Sequence, residues 1–212
     1  MKEILIVVLA LFYVFAESAI IHGQENKSKS DWYIGFGIGS GRDFAEGDSF
    51  QKIYKDWGDD AEVRINKDSS YPVAINFGLG LILNPYFHSG LDISAIRQQC
   101  EYKYGGWDGT AAMQINNYLA VIKYYPIETG FSLKGGFGLA AFYVSTEGDI
   151  FDDESEEYYG GKAFLFGAGY DFPLGDTFNL GIHAEYSKQT YSGNKAPSYT
   201  EFFNIYISFY WF

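Results

Sequence analysis

Apolar side chains alternate with small or polar ones along seven stretches of this sequence. In DWYIGFGIGSG, which begins at Asp31, Trp32, Ile34, Phe36 and Ile38 share one parity and glycines occupy the other. The other six stretches begin at Tyr71, Phe87, Phe131, Ala163, Phe178 and Phe202. A period of two sustained over about ten residues is the geometry of a β-strand. The chain is therefore predicted to be all-β.

An eighth strand, MQINNYLAVIKYYP from Met113, is apolar on both parities. One face would carry Met113, Ile115, Asn117, Leu119 and Val121, and the rival face would carry Tyr118, Ala120, Ile122 and Tyr124. A β-bulge could also switch the faces midway, so the register stays open. The count is eight strands, or ten if the alternation of EVRIN marks a hairpin between residues 42 and 70.

Charges separate the two faces of the predicted strands. The ionisable residues near mid-strand are Asp92, Lys134, Asp171, His183 and Glu185, and all five lie on the glycine-rich parity. A lysine or arginine facing lipid costs about 2–4 kcal/mol at mid-depth and almost nothing near the interface. A soluble barrel would reverse this pattern, with apolar residues inside and charges outside. We therefore expect the apolar parity to face lipid and these five residues to be lumenal ion-pair candidates.

Short and long connections alternate along the chain. The turns containing NPY, PIETG and PLGDT are short, whereas the gaps at residues 42–70, 102–110, 147–161 and 192–200 are long. Outer-membrane barrels have short periplasmic turns and longer extracellular loops. The pattern predicts an eight-stranded antiparallel up-and-down transmembrane β-barrel over residues 31–212.

The amino terminus has the features of a secretory signal. The apolar run from Ile4 to Ala16 is too short for a comfortable membrane span, and small residues follow it. We expect a signal peptide over residues 1–18, with cleavage as late as Gly23, and a polar lead-in over 19–30.

Composition excludes several classes of protein. The 27 acidic residues against 15 basic ones argue against a nucleic-acid partner. A single cysteine, Cys100, excludes an intramolecular disulfide, and no Cys/His cluster indicates a metal or cofactor site.

On these features the chain resembles the small outer-membrane β-barrels of the OmpA and OmpX kind. The resemblance implies a bacterial outer membrane, contact with its lipid and lipopolysaccharide, and no catalytic centre. The final alternating strand, with Tyr210 and Phe212, also resembles the signal read by the barrel-assembly machinery. In that pattern the last residue shares the lipid-facing parity, whereas Ile205 and Ile207 here favour the opposite parity. A terminal bulge, or a last residue that lies in the aromatic girdle, could reconcile the two.

The expected function is a structural, adhesive or surface-interaction role, with an extracellular ligand at the loops. Alternatives are a narrow porin-like channel and a soluble secreted ligand-binding barrel. A lipid A-modifying enzyme is least favoured. Its one candidate cluster is His183, Glu185 and Ser187, and alternate residues on a strand are about 7 Å apart, too far for direct hydrogen bonds.

The most acidic segment is EGDIFDDESEE, from Glu147 to Glu157. We interpret it as a solvated loop. The alternative is that its carboxylates bind calcium or are bridged to lipopolysaccharide by divalent ions.

Overall fold

The computed structural model describes residues 31–43, 64–66, 72–104, 107–126, 130–148, 151–192 and 199–212. They form nine strands: β1 (Trp32–Asp43), β2 (Arg64–Asn66), β3 (Val73–Asn84), β4 (Phe87–Tyr104), β5 (Trp107–Tyr124), β6 (Phe131–Gly148), β7 (Phe151–Pro173), β8 (Phe178–Tyr191) and β9 (Tyr199–Trp211). Within these ranges, no helix has the length and apolar character needed to cross a membrane.

Eight of the strands close into one antiparallel barrel. Strand β1 pairs with β3 and with β9, β4 follows β3, and the remaining strands run in order from β9 back to β5. Pairing of β4 with β5 closes the ring. The short β2 pairs with residues 101–103 of β4 and lies outside this ring. The prediction of an eight-stranded barrel is confirmed. In the described part of the connection between residues 42 and 70, where the ten-strand alternative required a hairpin, the only strand beyond the end of β1 is β2.

The predicted faces of the seven unambiguous strands are confirmed at mid-strand. Large apolar side chains on the outward parity are exposed, for example Leu139 at 65% and Phe166 at 63%. The inward parity carries glycines and buried polar residues such as Asp92 and Asn204. The barrel thus has an apolar exterior, and its buried polar and charged side chains lie in the interior.

The open register of the strand from Met113 is also resolved. Leu119, Val121 and Lys123 of β5 point inward, whereas Tyr118 and Ile122 are exposed. No bulge interrupts the pairing of β5 with β4 or β6. The inward face is apolar because it packs against inward residues of the next strands, in a cluster of Leu119, Val121, Ala140, Ala163 and Leu165.

The short turns lie at one end of the barrel, where local chemistry fixes them. The Asn84 side chain accepts hydrogen bonds from the backbone N–H groups of Tyr86 and Phe87 at 2.9 and 3.0 Å, an Asx-type turn. Gly130 precedes β6 with a φ of 92°, which a residue with a side chain rarely adopts. Its carbonyl accepts a hydrogen bond from the N–H of Asp171.

At the opposite end, four strands extend beyond the others. Strands β4, β5 and β6 have 18 residues each and β7 has 23, against 12 to 14 in β1, β3, β8 and β9. Pairing continues to Tyr104 and Trp107 in one hairpin and to Gly148 and Phe151 in the other. The expected long loops at residues 102–110 and 147–161 are therefore wrong. A sheet that is wet on both faces has no reason to alternate, so its sequence looks like a loop.

Candidate functional site: the barrel lumen

The lumen nearest the short turns holds a buried ion pair between β5 and β7. The ammonium of Lys123 donates to Asp171 Oδ2 at 2.7 Å, and the hydroxyl of Tyr125 donates to the same oxygen at 2.8 Å. His183 Nε2 of β8 lies 2.8 Å from the other oxygen, Oδ1. Each carboxylate oxygen therefore has a partner. Three strands are tied together across the interior.

A second ion-pair cluster lies in the lumen around Lys134 of β6. Its ammonium donates to Glu185 Oε1 of β8 at 2.7 Å and also forms an ion pair with Asp92 of β4. Asn76 of β3 donates to Asp92 Oδ2 at 3.3 Å. All four side chains are buried, so the lysine bridges opposite walls of the barrel.

Aromatic rings fill the space beside the Lys123 pair. The ammonium of Lys123 lies 4.0 Å from the centre of the Tyr210 ring, a distance typical of cation–π contacts. Tyr33 lies edge-on to Tyr210 at 6.2 Å between ring centres. The His88 ring is 5.7 Å from Tyr33 and 4.7 Å from Tyr125. These rings close the lumen at the end that carries the short turns.

At the opposite end the lumen is filled by apolar side chains. The largest of these are no more than 2% exposed: Ile96, Met113, Ile115, Phe142 and Phe202. Beside them Thr200 donates to the side-chain oxygen of Gln189 at 2.8 Å. An eight-stranded barrel has an interior that side chains can fill. Here buried side chains occupy both ends of the described lumen and the ion-pair clusters within it.

The five predicted ion-pair candidates all lie in this lumen, in two separate clusters. Asp92, Lys134 and Glu185 are brought together around one ammonium. Asp171 and His183 lie in the other cluster. Lys123 could not be assigned to either face from the sequence, because the register of its strand was open. The rule that placed Lys134 inward is that a cation facing lipid at mid-depth is costly. This rule did not decide the face of Lys123, because Lys123 lies near the strand end, where exposing a cation to lipid costs little.

The residues of the candidate catalytic cluster are directed to other partners. His183 pairs with Asp171, Glu185 pairs with Lys134, and Ser187 accepts a hydrogen bond from Gln189 at 2.9 Å. His183 and Ser187 thus have different hydrogen-bond partners. In the part of the chain that the structure describes, no group of three or more His, Cys, Asp or Glu residues could hold a metal ion.

The two carboxy-terminal aromatic residues both lie on the lumenal parity. Tyr210 is buried against the Lys123 pair. Phe212 follows β9, donates its N–H to the carbonyl of Thr177 at 3.0 Å, and places its ring 6.2 Å from His88. The pairing of β9 with β1 and β8 contains no register shift, so the terminal bulge considered above is wrong.

An apolar exterior around an interior that holds the buried charges, with no open sheet edge in the ring, defines a transmembrane β-barrel of the outer-membrane type. The chain belongs to the outer membrane protein beta-barrel domain family, whose model matches residues 6–208. The protein is accordingly located in the bacterial outer membrane, and the soluble secreted barrel is excluded. The predicted signal peptide and lead-in fall outside the described residues.

Solved structures of similar fold are bacterial outer-membrane barrels. The attachment invasion locus protein Ail of Yersinia pestis shares 16% identity over 86% of this chain and 100% of its own, with a TM-score of 0.50. Neisserial surface protein A shares 11% identity over 86% of this chain and 97% of its own, with a TM-score of 0.47. OprG from Pseudomonas aeruginosa shares 13% identity over 86% of this chain and 96% of its own, with a TM-score of 0.45. No curated protein sequence matches this chain.

Proposed function

We propose that this protein is a non-catalytic surface-interaction barrel, and that the extended ends of β4 to β7 form its contact surface. The observation that carries the proposal is the length of these four strands, which continue as paired sheet beyond the ends of β1, β3, β8 and β9. A barrel that served only to span the membrane would have no use for this extension. Paired strands present a more rigid surface than loops of equal length.

The filled lumen supports a role outside the barrel rather than passage through it. The Lys123 and Lys134 clusters bridge the walls at two levels, and the aromatic and apolar side chains close the two ends. A solute or ion would have to displace these buried, paired charges, and breaking such a pair is costly. The narrow porin-like channel is therefore the less favoured function.

The sequence of the extension indicates the chemistry of its partner. Residues 98–113 and 142–161 contain nine acidic residues and one lysine. A surface of one charge sign attracts partners of the opposite sign and suppresses like-charged ones. The proposed ligand is a basic protein surface. Ail has been solved with a heparin analogue, sucrose octasulfate, which is a polyanion. An acidic sheet would repel such a ligand, so the two barrels are expected to differ in what they bind.

The test is to remove the extension and keep the barrel. Gln99 pairs with Ala112, and Val144 pairs with Glu157. In one hairpin, an Asn-Gly turn can therefore replace residues 100–111 and join Gln99 to Ala112. In the other, an Asn-Gly turn can replace residues 145–156 and join Val144 to Glu157. Cells producing the full protein should be retained by surfaces coated with a basic protein and not by heparin.

The shortened variant should fold, as judged by its gel shift on boiling, and should lose this retention. A folded shortened variant that is retained as strongly as the full protein would contradict the proposal. A matched control neutralises Asp152, Asp153 and Glu154 to Asn, Asn and Gln and leaves the strand length unchanged. Loss of retention in this control would assign the attraction to charge.

Two partners expected from the family belong to the same proposal. Outer-membrane lipid and lipopolysaccharide would surround the apolar exterior. The barrel-assembly machinery would read the last strand through Tyr210 and Phe212. Both aromatic residues face the lumen side of the folded barrel, which supports recognition before closure, when the strand is still accessible.

A further inference from the structure

The part of β7 that extends beyond the barrel is paired on one side only. Phe151 and residues 155–160 pair with β6, whereas the register with β8 begins at Gly161. Ser192 adds one hydrogen bond, from its N–H to the carbonyl of Gly160 at 3.3 Å. Among the described residues, no strand pairs with residues 151–159 on the side away from β6. Hydrocarbon does not tolerate a row of unpaired backbone groups, so this open edge lies in water.

Hydrogen bonds elsewhere in β7 show which backbone groups point to the open edge. The N–H of Asp171 donates to the carbonyl of Gly130 at 2.8 Å, on the β6 side. The carbonyl of Gly160 accepts from Ser192, on the opposite side. Because the direction of the backbone groups alternates along a strand, odd-numbered residues of β7 direct theirs to β6 and even-numbered residues direct theirs away from it.

This alternation continues into the extension. The pairing of β7 with β6 has no register shift between residues 155 and 170. Glu156 and Tyr158 therefore direct both their N–H and their C=O groups to the open edge. The edge presents a short, regular row of donors and acceptors, which is what an added strand needs.

The opposite edge of the same sheet is already covered by an added strand. There β2, the three-residue segment Arg64–Asn66, pairs with residues 101–103 of β4. The extended sheet thus accepts a short strand at its β4 edge from within the chain. The β7 edge is the one at which a strand from another molecule can add.

The charge of the β7 edge selects the strand that can pair with it. Residues 151–160 contain five acidic residues and no base. Like charges directly opposite each other destabilise paired strands, and charged edges keep sheets of the same sign apart. A second copy of this chain would bring the same acids to the pair, so self-association through this edge is disfavoured. A strand with lysine or arginine at alternate positions brings opposite charges together.

We propose that the open edge of β7 binds an extended basic segment of the partner protein by β-strand addition. The backbone groups of Glu156 and Tyr158 bond to the backbone of the added strand, and the acidic residues around them select a basic sequence. The proposal rests on the contact surface proposed above. It narrows the ligand from any basic protein surface to one that offers an extended basic segment.

The binding test uses the full-length folded protein in detergent and a capped peptide of alternating lysine and threonine. Threonine favours strands, and the lysines supply the positive charge. The control peptide has the same sequence with methyl groups on its backbone nitrogens, so it keeps every charge and loses its N–H donors. We expect the unmethylated peptide to bind at least about tenfold more tightly, because loss of one hydrogen bond weakens binding by up to about tenfold.

Proline substitutions test the same edge on the protein. Glu156→Pro and Tyr158→Pro remove N–H groups that point away from β6, so the pairing with β6 is kept. The matched control is Glu156→Gln with Tyr158→Phe, which loses the same charge and keeps both N–H groups. The double proline variant should bind the unmethylated peptide about a hundredfold more weakly than the wild-type protein does, and the control about twofold more weakly.

Hydrogen exchange measured by NMR gives a readout that charge attraction alone does not change. In the free protein, the amides of Glu156 and Tyr158 should exchange quickly, whereas the amide of Glu157, which points to β6, should exchange slowly. The bound peptide should slow exchange at Glu156 and Tyr158 by about tenfold or more and leave Glu157 unchanged.

Every variant is first checked for its gel shift on boiling. If the double proline variant does not fold, hydrogen exchange in the wild-type protein decides. Equal binding of the two peptides, or a bound peptide that leaves exchange at Glu156 and Tyr158 unchanged, would overturn strand addition. So would a dimer of the purified protein that the proline substitutions abolish, because a second copy would then occupy the edge.

The cell-retention assay separates this inference from the proposed function. Full retention of the folded double proline variant by surfaces coated with a basic protein would overturn strand addition and leave the proposed function standing. No retention of cells that produce the wild-type protein would reject the proposed function itself. The peptide and exchange measurements use purified protein, so they decide the role of the edge in either case.

Discussion

Loss of the Lys134 ammonium should destabilise the barrel more than loss of the ammonium together with one of its carboxylate partners. Lys134 is the only cation in contact with Asp92 and Glu185 among the described residues, and all three are buried. At 2.7 Å and an effective dielectric constant of about 20, Coulomb's law gives about 6 kcal/mol for the pair with Glu185. Relief from burying the ammonium offsets part of this. We expect Lys134→Met to cost about 3–5 kcal/mol, the usual result of stranding buried charge.

The two double variants should differ from each other. In Lys134→Met with Glu185→Gln, the remaining Asp92 keeps its hydrogen bond from Asn76. In Lys134→Met with Asp92→Asn, the remaining Glu185 has lost its donor at Oε1, and its Oε2 has no partner in the described structure. The variant with Glu185→Gln should therefore be the more stable of the two. The triple variant, which removes all three charges, should recover most of the loss.

Unfolding midpoints measured by heat modifiability or by urea in lipid vesicles would give these differences. Lys188→Met is a matched control, because its ion pair with Glu201 is as short, at 2.6 Å, but partly exposed. It should change the midpoint little. Strictly additive losses in both double variants would show that Lys134 is not coupled to either carboxylate.

Three further predictions concern the wall and the lumen. Phe166→Arg, near mid-strand in β7, should cost about 2–4 kcal/mol in folding assays, whereas Leu180→Arg, two residues from Phe178 at the start of β8, should cost about 1 kcal/mol or less; equal losses would mean that the depth of these residues is misassigned. Gly167→Ala should lower the free energy of unfolding by about 1–3 kcal/mol because its Cβ would lie 2.8 Å from Glu185 Cγ, whereas the Cβ of Gly135→Ala meets no atom within 4 Å and should leave stability unchanged. The refolded wild-type protein should show no conductance in planar bilayers, and steady single-channel currents would contradict the sealed lumen.

The alternation of side chains was sufficient to predict the membrane-spanning part of this fold. Lipid imposes a strict apolar requirement on one face, so residues such as Leu139 and Phe166 identify their parity without help from the structure. The strand from Met113 remained open because its lumenal face is also apolar. Leu119 and Val121 pack against Leu165, a contact between strands that no local pattern contains.

The sequence was less informative where the lipid ends. Residues 147–161 were expected to be a loop, yet β6 and β7 continue through most of this range as paired strands. A strand with water on both faces is under no pressure to alternate, so periodicity cannot reveal it. The lumenal ion pairs were predictable as a set of inward charges. Which of these charges pair with each other depends on the closure of the barrel, because closure brings Asp92 and Glu185 into contact with Lys134. Only the structure shows this.

One parity of each barrel strand faces lipid, and the other faces the interior. This arrangement can be measured residue by residue with single-cysteine spin labels at each position from Ala163 to Tyr170 of β7, in a Cys100→Ser background, with the protein in lipid vesicles. Collision with molecular oxygen, which concentrates in lipid, should be high at residues 164, 166, 168 and 170. It should be low at residues 163, 165, 167 and 169, and collision with a water-soluble nickel chelate should be low at all eight. Equal oxygen accessibility on both parities would mean that β7 does not separate lipid from the interior, and strong nickel accessibility at the odd positions would mean that the interior is open to water.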